Sequence, residues 1–165
     1  FKGSVSSAQA EEAVAEGVRR VWPDAEVCTL PLADGGEGPL DAVAACGGEV
    51  VTSDLRGVMP MLGFLREGRD LSGFCAADRV VGRAAAMLFA KAGVRAVHAE
   101  VMSDGAAALL AAHGIDASCD VRTAAIENRQ KTGLCPMESA VAGIEDIDAG
   151  IAAIRRRAEE MRAGH

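Results

Sequence analysis

The strongest constraint on the fold comes from residues 71–90, where a polar, glycine-marked turn leads directly into a long apolar run. After Asp78 nearly every residue is apolar or small, whichever face of a helical period is considered. A helix that is apolar all round is normally enclosed by other protein elements. Gly82 costs such a helix about 1 kcal/mol relative to alanine, so packing must outweigh helix propensity there. The sequence therefore predicts a buried central helix that opens with residues 75–78.

Strand and helix patterns alternate along the rest of the chain. Alternating and β-branched residues predict strands at residues 49–53, 94–102 and 115–121. Apolar periodicity and end signals predict helices at residues 56–67, 103–112, 122–129 and 147–161, with Ser103 as an N-cap and Gly93 ending the central helix. Residues 40–46 can form a helix, which alanine favours, or a strand before a hairpin turn at Gly47 and Gly48; we favour the strand, because its loss would open the sheet. This alternation predicts an α/β protein, a three-layer α/β/α sandwich with a mainly parallel sheet.

Charge and cysteine content limit the class of protein. Seventeen basic and twenty-four acidic residues give a net charge of −7, which disfavours nucleic acid as a partner. Five cysteines are scattered singly without a C-x-x-C pair, which is typical of reduced thiols in the cytosol. No apolar run is long enough to span a bilayer, and we expect no signal peptide. We therefore expect a cytoplasmic protein with a small-molecule ligand and no membrane partner. The run at residues 155–157 is expected to be a solvated helix face, with a homo-oligomer contact as the alternative.

A glycine-rich loop lies between a predicted strand at residues 26–32 and a helix start at Pro39. Its residues are Asp34, Gly35, Gly36, Glu37 and Gly38. Such a loop can turn backbone amides toward an anion, although plain turn chemistry explains the same residues. Together with residues 1–4, a predicted helix at 7–21, residues 23–27 and residues 40–42, the loop resembles the N-terminal end of bacterial glycerate kinases. The resemblance implies ATP, Mg²⁺ and glycerate as ligands and places the loop in the active-site cleft. It covers only residues 1–45, a helix–strand–helix fragment, whereas phosphoryl transfer needs groups from several parts of a fold.

Residues 46–165 carry a second resemblance. The residues that carry it are Ser53, 56–58, 73–74, 76–78, 80–82, 128–129 and 132–138. They resemble a family of uncharacterised prokaryotic proteins with a cytidine-deaminase-like fold. His98 and Glu100 have the spacing of half a zinc-deaminase signature, but Cys135 precedes Pro136 and no second cysteine lies nearby. Since such a site needs three thiolate or imidazole ligands, we expect no metal and no other cofactor.

The place of the deaminase ligands is expected to be taken by Cys75 and Asp78. Asp78 could act as a general base, and Cys75 could be a nucleophile activated by the helix N-terminus. Alternatively, Asp78 complements the helix dipole while Cys75 fills a small apolar gap, the role that we favour for Cys75. Whether the chain is an enzyme stays open at this point.

A polar loop late in the chain is the second candidate site. Its residues are Asn128, Arg129, Lys131, Thr132, Gly133, Cys135 and Glu138. Arginine, lysine and backbone amides before a helix can hold an anion, and the fold should bring this loop near the N-terminal end of the central helix. Ser103 is a further candidate ligand-binding residue. A surface loop tied by Arg129 and Glu138 is the structural alternative. The first hypothesis for function is a zinc-free domain that binds a small anionic or nucleotide-like ligand. The others are a glycerate kinase or its inactive remnant, and a structural or regulatory association module.

Overall fold

The computed structural model describes residues 42–46, 49–52, 55, 57–128 and 130–163. The predicted helix at 7–21, the strand at 26–32 and the loop at 34–38 lie outside the described residues, as do Gly47, Gly48 and Arg129. Within the part that is described, no helix is long and apolar enough to cross a membrane.

A five-stranded sheet forms the frame of the molecule. Its strands are β1 (Ala42–Cys46), β2 (Glu49–Thr52), β3 (Cys75–Val81), β4 (Ala96–Ser103) and β5 (Asp116–Thr123), in the order β2-β1-β3-β4-β5. β1 runs antiparallel to both β2 and β3, whereas β3, β4 and β5 are parallel. The predicted α/β class with a parallel core is confirmed, as is the strand expected at residues 40–46. The division of the chain after residue 45 stays a prediction, although the sheet already includes β1.

The helices gather around one central helix. They are α1 (Met59–Arg66), α2 (Arg83–Ala92), α3 (Asp104–Ala112), α4 (Pro136–Ala140) and α5 (Ile147–Ala163). α2 contacts each of the other four and buries six of its ten residues, Ala84, Ala86, Met87, Leu88, Phe89 and Ala92. Gly150 of α5 faces Met87 so closely that an added Cβ would overlap the Met87 Sδ atom. The prediction of a buried central helix is therefore confirmed.

The predicted start of the central helix is wrong. Residues 75–81 form β3, and the helix begins only at Arg83 with Gly82 as its N-cap. The alanines of this segment favour a helix locally, but β3 pairs with β1 on one side and β4 on the other. Pairing on both sides satisfies its backbone groups, so tertiary context overrides propensity. Gly93 ends α2 with φ 70°, as predicted.

The helix predicted at residues 122–129 is also wrong. Arg122 and Thr123 complete β5, whose ladder with β4 continues to Ser103 and Thr123. The chain then bends, and Glu127 forms an isolated bridge with Leu134. The ladder thus holds extended two residues that the sequence pattern assigned to a helix.

The three parallel strands share an irregularity at one level. The pairing passes over three exposed charged residues, Arg79, Glu100 and Asp120. Ala76 and Val81 are both buried although an odd number of positions separates them, so the alternation of side chains changes phase between them. The register is the same on both sides of this level, because one residue is passed over in each strand. Directly after this level, Val80 and Val121 are 43% and 54% exposed.

The turn that leads into β3 is held by Asp70. Its carboxylate accepts a hydrogen bond from the Ser72 backbone amide at 2.9 Å. The Ser72 side chain and this amide together hold the pKa of Asp70 below its usual range.

Candidate functional site at the carboxyl edge of the sheet

The carboxyl ends of β3 and β4 lie at one edge of the sheet, where α2 and α3 begin. In open α/β sheets this edge is where ligands usually bind. The residues at this edge are Gly82 and Arg83, which open α2, and Ser103 and Asp104, which open α3. These two helix starts are therefore the first place to look for a functional site.

Glu138 lies at the start of α2. Its Oε1 atom accepts a hydrogen bond from the Arg83 backbone amide at 3.0 Å, so its carboxylate complements the positive end of the helix dipole. An added Cβ at Gly82 would overlap Glu138 Oε1 and lie 3.0 Å from Ile126 Cγ1. Gly82 has φ −94° and ψ 178°, which any residue can adopt, so lack of space is what requires glycine. The expectation that the late polar loop reaches the central helix start is met by Glu138.

Arg83 anchors the same corner through its side chain. Its Nη2 atom donates to the Ile144 carbonyl oxygen at 2.8 Å and lies 3.0 Å from Glu145 Oε1. The Arg83 side chain is only 20% exposed, whereas that of Glu145 is 87% exposed. Backbone and side chain of Arg83 thus tie the start of α2 to α4 and to the segment before α5.

The start of α3 is capped in the predicted way. Ser103 is buried, and its Oγ atom accepts from the Ala106 amide at 3.1 Å. Asp104 accepts a hydrogen bond from Arg122 Nε at 2.8 Å. The N-cap role of Ser103 is confirmed. The ligand-binding role of Ser103 stays a prediction. Its hydroxyl oxygen already accepts the hydrogen bond that caps α3.

The late polar loop is closed by its own hydrogen bonds. Asn128 Nδ2 donates to Thr132 Oγ1 at 3.0 Å, and the Thr132 amide donates to Asn128 Oδ1 at 3.0 Å. The Asn128 amide donates to the Gly133 carbonyl at 2.8 Å, and Lys131 takes φ 54°. Cys135 is half-buried and is the N-cap of α4. The described part of the loop is therefore a structured turn held by Asn128 and Thr132.

Cys75 and Asp78 lie on β3 rather than at a helix start. Cys75 Sγ accepts a hydrogen bond from Arg95 Nη2 at 3.1 Å. Asp78 Oδ1 accepts one from the Val80 amide at 3.3 Å. Because both residues lie within β3, Cys75 is not at the helix start that was expected to activate it as a nucleophile. Their catalytic roles stay predictions without that support.

The residues at the edge do not fit a zinc ion. Nowhere in the described ranges do three His, Cys, Asp or Glu side chains come close enough to hold a metal. His98 lies within β4, where its Nδ1 is hydrogen-bonded to Ser118 Oγ at 2.9 Å and its Nε2 is 3.9 Å from Asp120 Oδ1. His98 is therefore a hydrogen-bonded residue inside β4.

An open groove of about 390 Å³ is lined by residues of α4 and α5 and by Leu134, and we call it the arginine groove. It is lined by Leu134, Pro136, Ser139, Ala140, Arg156, Arg157 and Glu160. Arg157 Nη1 is 3.0 Å from Glu160 Oε2, and Arg156 Nε is 4.0 Å from Glu160 Oε1. Two guanidinium groups therefore share one carboxylate.

Sequence patterns missed both the role of Gly82 and this groove. Val80 and Val81 before a glycine are a signal for a strand that ends in a helix cap. Arg157 follows the buried Ile154 by three positions and so lies at the border of the apolar face of α5. The facing Ser139 comes from another element, and periodicity cannot reveal such a contact.

Two solved structures of other proteins are similar to this one. The structure of a DUF1893 family protein from Thermotoga maritima matches with a TM-score of 0.65 and 21% identity over 97% of this chain and 95% of that one. A dCMP deaminase from the cyanophage S-TIM5 matches with a TM-score of 0.37 and 14% identity over 47% of this chain and 77% of that one.

The beginning of the chain is similar to other proteins. Residues 1–63 match the glycerate kinase family. Glycerate 2-kinase of Escherichia coli is 40% identical over 45 residues, which are 27% of this chain and 12% of that enzyme. The chain thus spans about an eighth of the length of that relative.

The larger match covers residues 36–157 and is to the family described as domain of unknown function (DUF1893). It includes all five strands and α1 to α4. The similarity to the Thermotoga protein extends over nearly the whole of both chains. The chain therefore belongs to the DUF1893 family.

Proposed function

We propose that this DUF1893 domain binds a small anionic ligand, of the size of a phosphomonoester or nucleotide, in the arginine groove and without a zinc centre. The observation that carries the proposal is the shared carboxylate of Glu160. In a chain of net charge −7, Arg156 and Arg157 stand side by side in a concave surface with only one carboxylate between them. This leaves an excess of positive charge where a ligand can enter.

The chemistry of the groove suits a phosphate or carboxylate. Guanidinium groups offer paired donors that match such anions, and these bonds are stronger than those between neutral groups. The Arg156–Glu160 distance of 4.0 Å is too long for a hydrogen bond, so Arg156 keeps donors available. Ser139 Oγ donates to the Cys135 carbonyl oxygen at 3.3 Å. Its hydroxyl can also accept a hydrogen bond from a ligand, or rotate to donate one to it.

The apolar lining of the groove suits the body of such a ligand. Leu134 is 50% exposed, and Pro136 lies beside it at the start of α4. These side chains give a nucleobase or another apolar group a surface to cover. A groove of about 390 Å³ is within the size range of small-molecule sites.

Loss of the two arginines is expected to remove binding. Thermal shift and calorimetric titration of the full chain with inorganic phosphate, AMP and CMP should show stabilisation by at least one nucleotide. Arg156→Ala and Arg157→Ala should each weaken that binding by about tenfold or more, because a hydrogen bond to a charged group is worth about 1.5–3 kcal/mol.

Arg155→Ala is the matched control, since Arg155 is exposed on the same helix and does not line the groove. It should leave the affinity unchanged. Glu160→Gln should raise the affinity, because it removes the internal competitor. Equal losses in all three arginine variants, or no shift with any of the three ligands, would contradict the proposal.

The glycerate kinase alternative rests on the matching N-terminal residues. ATP- and Mg²⁺-dependent phosphorylation of glycerate by the purified chain would favour it over a binding domain. The chain spans 12% of the E. coli enzyme, and phosphoryl transfer requires positioning groups from several parts of a fold, which is why we place this alternative second.

A further inference from the structure

The two walls of the arginine groove are held in place by different contacts. The α5 wall carries the two arginines and Glu160, and it belongs to a helix that buries five residues, among them Ile151 and Ile154. The α4 wall belongs to a helix of five residues, none of which is fully buried, although Met137 packs against the core. Apolar packing therefore fixes α5, whereas the placement of α4 depends largely on polar contacts.

The two faces of α4 have different partners. One face lines the groove and carries the residues at i, i+3 and i+4 spacing, Pro136, Ser139 and Ala140. Glu138 lies on the opposite face, because helical geometry places it about half a turn away from these residues. Its Oε1 atom accepts a hydrogen bond from the Arg83 amide at 3.0 Å. The start of α2 thus holds the back of the α4 wall.

The Arg83 side chain holds the chain beyond α4. Val141, directly after this helix, is 0% exposed, and the connection to α5 follows it. In this connection the Ile144 carbonyl oxygen accepts a hydrogen bond from Arg83 Nη2 at 2.8 Å, and Glu145 Oε1 lies 3.0 Å from the same atom. Arg83 therefore contacts the chain on both sides of the buried Val141. Its amide holds the segment before Val141, and its guanidinium holds the segment after it.

We propose that Arg83 is a positioning residue of the arginine groove, an inference that rests on the proposed function. Arg83 is not among the residues that line the groove. Its two contacts hold α4 at the separation from α5 at which Ser139 and the two arginines reach the same anion. Without the guanidinium, α4 turns about Val141 and Ser139 moves away from the ligand, while the α5 wall stays in place.

Replacement of Arg83 by methionine tests this role, because it keeps an unbranched apolar side chain and removes the guanidinium. In calorimetric titrations with inorganic phosphate, AMP and CMP, Arg83→Met should weaken the binding of the preferred ligand by about three- to tenfold. Lys91→Met is the matched control. It also removes a positive charge from α2, together with the bond of Lys91 Nζ to Asp148 Oδ1 at 2.6 Å that joins α2 to α5, but it leaves the Arg83 contacts intact. It should leave the affinity unchanged.

A double-mutant cycle separates positioning from a general loss of stability. Ser139→Ala should weaken binding in the original chain and clearly less in the Arg83→Met background, because there Ser139 no longer faces the ligand. Arg157→Ala should weaken binding by the same factor in both backgrounds, because apolar packing holds α5. An unchanged affinity in Arg83→Met, an equal loss in Lys91→Met, or an equal effect of Ser139→Ala in both backgrounds would overturn the inference.

Amide hydrogen exchange of the ligand-free chain tests the placement of α4 independently of binding. The relevant amides donate to carbonyl oxygens of α4 and of Val141, and they are those of Val141, Ala142 and Ile144. Their exchange should be faster in Arg83→Met and unchanged in Lys91→Met, and the α5 amides should exchange as before in both. Unchanged exchange in Arg83→Met would overturn the inference even if the nucleotides bind. Failure of the original chain to bind any of the three ligands would instead contradict the proposed function, and exchange would still decide whether Arg83 holds α4.

Discussion

Replacement of Phe89 by alanine is expected to lower the free energy of unfolding by about 3–5 kcal/mol, the usual cost of removing a buried aromatic side chain. Phe89 is 1% exposed and lies on α2, the helix that contacts all the other described helices. Removal of the ring leaves a cavity, and the surrounding side chains cannot move enough to fill it because they belong to several packed elements. Urea denaturation of the two proteins measures the difference.

Phe64→Ala is the matched control for this change. Phe64 lies on α1, is only half-buried, and has Arg69 above its ring at 5.9 Å. Its truncation removes less buried surface, so we expect well under half of the loss at Phe89. Equal losses at the two positions would show that α2 is not the centre of the core.

Replacement of Gly82 by alanine is expected to cost about 1–3 kcal/mol, the range for forcing extra volume into a packed site. The added Cβ would overlap Glu138 Oε1 and crowd Ile126, so Glu138 must leave the Arg83 amide. Gly63→Ala is the control, because no atom would lie within 4 Å of its Cβ. In the middle of α1 the control should be neutral or more stable, by up to about 1 kcal/mol.

Removal of Glu138 tests the cause of that cost. In a Glu138→Ala background, Gly82→Ala should cost clearly less than in the original chain, because the main overlap is gone while the Ile126 contact remains. The two changes should thus be non-additive in denaturation measurements. Additive losses would mean that the carboxylate is not what confines Gly82.

Much of the fold can be predicted from local signals. Residue chemistry predicts that Ser103 Oγ caps a helix and that Gly93 takes the left-handed conformation. Helical periodicity predicts the buried face of α5, which is formed by Ile151, Ile154 and Ala158. β4 and β5 follow from β-branched and alternating residues. These features depend on neighbours within a few positions, which is why sequence suffices for them.

The candidate site was predictable only in part. Glu138 was correctly expected near the start of the central helix, but that start was predicted at residues 75–78, which form the beginning of β3. Ala76 and Ala77 favour a helix locally, and Val80 and Val81 before Gly82 are the only local signal that β3 is a strand. Arg156 and Arg157 were expected to be a solvated face or an oligomer contact, since Leu134 and Ser139, which line the same groove, come from another part of the chain.

The sequence by itself determined that this chain is an α/β protein with a buried helix, because burial requires apolar residues and helix ends require caps wherever they occur. Only the tertiary structure decided where that helix begins. Residues 75–81 become a strand because β1 and β4 supply hydrogen-bond partners on both sides, contacts between residues far apart in sequence. The same pairing makes Gly82 the N-cap of α2, and the Glu138 carboxylate accepts a hydrogen bond from the Arg83 amide that follows it.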